Sequence, residues 1–123
     1  MKEAIILYLL ETINTIKIHH WNTYSYATHK ALGKLYDELG DTIDEFVEVM
    51  MGKYGRPDYP PTFTLELQKP EDISPTEALK SCAEYLINLS DELDPRADTD
   101  LLNLRDEMLG QINQTIYLLT LTK

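Results

Sequence analysis

Five of the chain's six prolines lie between Pro57 and Pro75. Proline has no amide hydrogen and restricts the residue before it, so no long helix runs through "GKYGRPDYPPTFTLELQKPEDISP". The sequence on either side has helical periodicity. The chain is therefore divided into two helical halves joined by a long connection. Within that connection "TFTLEL" alternates and predicts a short extended piece.

The first half holds two helices. Over residues 2–22, Ile6, Leu9, Ile13, Ile16 and His20 recur as one stripe. Over 25–52 the stripe is Leu32, Leu35, Leu39, Ile43, Phe46 and Met50. The third helix has a marked start: Ser74 as N-cap, Pro75 at the first helical position and Glu77 closing a capping box. Leu79, Cys82, Leu86, Leu89 and Leu93 form its stripe, and "DELDPRADTD" stops it at Pro95. The fourth covers 99–121 through Leu101, Leu104, Met108, Ile112, Ile116 and Leu119. Four amphipathic helices joined short, long, short predict an all-α, ferritin-like four-helix bundle with a long crossover between the second and third helices. A chain of 123 residues has room for a single domain with one core.

Charge narrows the function classes. There are 21 Asp and Glu against 11 Lys and Arg, a net charge of -10. Phosphate affinity comes mainly from Lys and Arg, so such a chain is a poor nucleic-acid binder. It suits cations, basic partners or simple solubility. The single cysteine, Cys82, excludes an intramolecular disulfide and fits a reducing compartment. The apolar N-terminal run ends at Glu11, too soon for a membrane span, and it has no small-residue cleavage site. The expectation is a soluble, cytoplasmic protein with no membrane partner.

All three histidines and the only tryptophan fall in "HHWNTYSYATHK", His19 to Lys30. His20 lies on the apolar stripe of its helix, where a histidine is either a hydrogen-bonded core residue or a ligand. His29 opens the next helix, as ligand or as exposed polar residue. His19 stands about 100° around from His20, which predicts surface or interface. The second helix also carries a second face: His29, Gly33, Asp37, Gly40, Asp44 and Glu48. Two glycines inside a helix cost about 1 kcal/mol each relative to alanine, and close approach of another helix is a reason for them. A second copy of this helix, antiparallel, sets His29 opposite Glu48, Gly33 opposite Asp44 and Asp37 opposite Gly40, which predicts a homodimer. His29 and Asp44 are roughly 22 Å apart along one helix, whereas a metal bond spans about 2 Å. One chain cannot bring both to one ion, but two antiparallel chains can.

"KIHHWN", a histidine at the start of the next helix, "YDELGDTIDEFVE" and "GRP" together resemble the Dps family of miniferritins over Lys17 to Pro57. A weaker pattern in the last two helices extends the likeness to most of the chain. The resemblance implies a di-iron centre between subunits that oxidises ferrous iron, with iron as cofactor; whether the homodimer assembles further into a dodecameric cage is left open. It implies His20, His29, Asp44 and Glu48 as metal ligands. Three departures stand out. Gly33 replaces the family's acidic ligand, with Asp37 one turn on as the candidate substitute. The loop between His20 and His29 is shorter. A lysine-rich N-terminal tail is absent, which with the net charge predicts no DNA binding. Two other readings compete. One is a bundle with a degraded metal site, acting as a structural or protein-interaction module and, through its acidity, as a decoy for a basic partner. The other is a MazG-like nucleotide pyrophosphohydrolase, in which Glu45 to Glu48 supplies one half of a Mg²⁺ motif and the "DELD" of 91–94 falls where a helix ends.

Overall fold

The computed structural model describes residues 2–121. Helices α1 (Lys2–Asn22), α2 (Tyr26–Tyr54), α3 (Pro75–Asn88) and α4 (Thr99–Leu118) follow in order, with a 3-10 turn at Leu89–Asp91. The N-cap read from sequence forms: Ser74 Oγ accepts from the Glu77 amide at 3.1 Å. Helix α2 is capped by Ser25, which the sequence reading did not single out; its Oγ accepts from the Thr28 amide at 3.2 Å. Gly55, at φ 84, turns the chain out of α2 two residues later than expected.

The extended piece at "TFTLEL" pairs with no strand among the described residues. It is held by side chains of α1 instead. Glu66 N–H donates to Glu11 Oε2 at 2.7 Å, and Asp58 N–H donates to Glu3 Oε1 at 3.3 Å. The crossover is thereby laid along α1, and α2 and α3 run in the same direction. Each helix packs on two others: α1 on α2 and α3, and α4 on α2 and α3. Lys53 of α2 meets Asp100 at the start of α4, and Thr42 meets Gln111 further along, so these two helices are antiparallel. The course is up, down, down, up.

The predicted stripes of α2 and α3 are buried at every position, with Phe46, Leu32, Leu39 and Leu79 at the centre. On α4, Leu101, Met108 and Ile112 are buried, while Leu104, Ile116 and Leu119 flank the core. Arg105 takes a core-facing position. Its guanidinium donates to Leu86 O and Ser90 Oγ, both at 2.8 Å, which satisfies the open carbonyl end of α3. At the same end of the bundle Asp98 is buried. It accepts from Tyr54 Oη and from the Asp94 amide, and these bonds hold its carboxyl below the usual carboxylate range. Asp94 accepts from the Arg96 and Ala97 amides. The acidic "DELDPRADTD" is thus a bonded turn.

One expectation is corrected on α1. The buried positions are Ile5, Ile6, Leu9, Thr12, Ile16 and His19. The inward face is set one residue earlier than apolar spacing suggests, because two polar residues, Thr12 and His19, occupy it. His19 is not a surface residue: it is 4% exposed, and its Nε2 has no hydrogen-bond partner. His20 lies at the edge of the interface instead.

Burial pushes the His19 imidazole below its ordinary value of 6.5. The unfolded chain then binds a proton that the folded chain refuses. This stabilisation is present above pH 6.5 and is lost as pH falls from there toward the depressed folded value. Urea midpoints measured between pH 7.5 and 5 are expected to fall, and His19→Leu is expected to flatten that segment. An unchanged slope in the variant would show that His19 does not carry it.

Candidate functional site

The first two helices are joined by residues 23–25 alone. A helix ends with carbonyls that have no partner inside it. His20 O is one of these at the end of α1, and the Nδ1–H of His29 donates to it at 2.8 Å. In return the Nδ1–H of His20 donates to His29 O at 2.7 Å. A carbonyl only accepts, so each ring carries its hydrogen on Nδ1 and leaves Nε2 as the second functional nitrogen. The two rings stack, with centroids 3.8 Å apart and planes 15° from parallel. Tyr26 continues the pile against His29 at 6.2 Å.

Gly33 follows His29 by one helical turn, on the side the His29 carbonyl faces. A Cβ at this position would stand 2.9 Å from His20 Cε1 and 3.2 Å from Nδ1. The glycine is therefore what lets the His20 ring reach that carbonyl. Gly40, two turns further along the same face, has Ile13 of α1 at 4.0 Å. Both glycines border α1 of the same chain. At Gly33 the close approach is made by the His20 ring of α1, whereas at Gly40 the contact is an ordinary one.

The predicted metal ligands are not brought together within one chain. Among the described residues, no three His, Cys, Asp or Glu side chains come close enough to hold an ion. His20 and His29 are neighbours, but a ligated metal lies near the plane of its imidazole, about 2 Å from nitrogen. Two stacked, nearly parallel rings share no such point. Asp44 and Glu48 lie exposed further down α2, and Asp37 is exposed nearer the histidines. Neither iron nor the paired acids of a Mg²⁺ site fit this arrangement within the chain.

A depression of about 790 Å³ does open at this end of the bundle. His20, His29 and Gly33 line it with Lys17, Lys30, Lys34, Asp37, Leu118 at the end of α4 and Leu121 just past it. Three lysines meet one aspartate there, in a chain where acids outnumber bases 21 to 11. Lys34 pairs with Glu38 at 3.4 Å. Lys17 and Lys30 have no carboxylate partner among the described residues. Lys17 Nζ stands 4.1 Å from the Tyr36 ring centroid and 5.5 Å from that of Trp21, and Lys30 Nζ is 6.0 Å from Tyr26. Trp21 is 68% exposed, Tyr26 74%, and Tyr24 fully so. Reading the sequence for ligands missed these lysines, which are scattered at positions 17, 30 and 34. Their signal was available: on two antiparallel helices joined by a short turn, these positions fall at one end.

The sequence pattern of the family of unknown function DUF5856 matches residues 20–119, from His20 through most of α4. The chain belongs to that family. It is also similar to a curated protein of Enterobacteria phage T4, described as an uncharacterized 14.6 kDa protein in the mobD-ri intergenic region. The two are 30% identical over 102 residues, which is 83% of this chain and 74% of the phage protein. No solved structure matches. The resemblance to the Dps family is therefore corrected. The family pattern found is a different one, and the glycine that departs from Dps at position 33 is the space for His20.

The two helix glycines should respond oppositely to alanine. Gly33→Ala is expected to displace the His20 ring and break the reciprocal pair, a net loss of about 1 kcal/mol after the helix-propensity gain is offset. Adding His20→Ala should remove most of the penalty, since the clash partner is gone. Gly40→Ala meets only ordinary contact and should stabilise by about 0.5–1 kcal/mol. Urea unfolding of these three variants and of His20→Ala alone measures this. Additive effects at 20 and 33 would refute the coupling.

Proposed function

We propose that this chain is a binding protein that takes an anionic ligand at the tip of its α1–α2 hairpin. The observation that carries this reading is the pair of lysines, Lys17 and Lys30, beside the histidine-walled depression. Their neighbours are aromatic faces instead of carboxylates. An ammonium about 4 Å from a unit negative charge gains roughly 1 kcal/mol in bulk water and about 4 kcal/mol at an effective dielectric near 20. The chain's net charge of -10 opposes this only weakly for a small ion, because salt screens separations beyond about 8 Å. Iron oxidation between two subunits has less support, since ammonium groups beside the histidines repel a cation. The up–down–down–up course with its crossover supports a ferritin-like classification of the bundle, but the ligand reading does not depend on it.

Trp21 is the only tryptophan and lies at the tip, so its emission reports on this site directly. Titration with inorganic pyrophosphate is expected to give a saturable change, and sodium chloride at matched ionic strength is expected to give none. The double charge reversal Lys17→Glu with Lys30→Glu should abolish the response while helical circular dichroism is unchanged. A response equal to that of chloride, or one that survives the double reversal, would overturn the reading.

A further inference from the structure

Resting on that reading, we infer that the anion belongs to a flat, phosphorylated ligand of the nucleoside phosphate class. The depression lies within the range of small-molecule sites at about 790 Å³, which is more than a bare phosphate needs. Two of its cationic groups, Lys17 and Lys30, stand beside exposed aromatic rings. Tyr26 ends the stacked column that runs through His29 to His20, and it is 74% exposed. Trp21, 68% exposed, has its ring centroid 5.5 Å from Lys17 Nζ, beside the depression. A nucleobase stacks on such faces whatever its sequence identity, while its phosphate meets the ammonium groups. The Nε2 atoms of the two histidines add acceptors for ribose hydroxyls when neutral, because both Nδ1 hydrogens are already engaged.

Charge sets the size of the ligand. A mononucleotide places its phosphate among Lys17, Lys30 and Lys34 and leaves the rest of the acidic surface untouched. A nucleic-acid strand running beyond the tip meets the exposed Asp41 and Asp44 of α2. The same surface that admits the small ligand therefore discriminates against the polymer.

Isothermal titration calorimetry with adenosine diphosphate, ribose 5-phosphate and adenosine separates the contributions. The diphosphate nucleotide should bind about tenfold or more tighter than the sugar phosphate, and adenosine should bind weakest. Trp21→Ala and Tyr26→Ala, both at exposed positions, should together reduce nucleotide affinity by a larger factor than sugar-phosphate affinity, closing the gap between the two ligands. If the nucleotide and sugar phosphate bind alike, and the aromatic variants change neither, the nucleoside inference fails while the anion reading stands. If neither binds, both fail. If a single-stranded oligonucleotide binds more tightly with each added nucleotide, the ligand is the polymer and the size argument is wrong.

Discussion

The reciprocal hydrogen bonds between His20 and His29 fix how α1 turns into α2, and the site depends on that turn. Each ring satisfies a backbone carbonyl of the other helix, at 2.7 and 2.8 Å. The exchange needs the rings face to face and needs the His20 ring over α2 with no Cβ beneath it. Gly33 meets the second requirement. Once the hairpin is set, Lys17 on α1 and Lys30 and Lys34 on α2 are carried to one depression. No direct bond between the lysines is required. Their convergence follows from helix phase and the three-residue connection.

The two ends of the bundle handle charge differently. At the end where α2 stops and α4 starts, carboxylates are paired within the chain: Asp98 with Tyr54 and the Asp94 amide, and Lys53 with Asp100. A depression of about 630 Å³ exists there too, lined by Lys2, Glu3, Tyr54 and several acids. The carboxyls of Asp94 and Asp98 in it already accept backbone or side-chain hydrogens. At the hairpin tip Lys17 and Lys30 have only ring faces. Polar groups that are satisfied internally hold the fold. Groups left facing open rings and solvent are available to a ligand.

Much of the architecture was legible because it rests on local rules. Proline placement, capping residues and the leucine spacing of α2 and α3 specify four helices and a crossover, and each is observed. The face of α1 was misread because a threonine and a histidine are buried on it, and apolar spacing cannot register polar core residues. His19 and His20 consequently exchanged their expected environments. The candidate site was partly legible. His20 and His29 were singled out, and the helix glycines were recognised as marking close approach. What approaches them was not readable, because one glycine serves equally a second helix of the same chain or a second copy. Within the chain, the His20 ring lies against position 33 and Ile13 borders position 40.

Position 33 illustrates why a missing side chain admits opposite meanings. Compared with a family that places a carboxylate there, Gly33 is a lost ligand. Measured against the His20 ring, it is the space that lets two imidazoles lock a turn. The second account explains more of what surrounds it. A carboxylate at 33 would begin with the same Cβ, 2.9 Å from the ring, and would displace it. The reciprocal histidine pair and an acidic residue at this position therefore exclude each other in this geometry. A metal site of the carboxylate kind needs a different rotamer of His20, and with it a different closure of the hairpin. The arrangement present sets three lysines against one aspartate beside the rings, a local excess of positive charge.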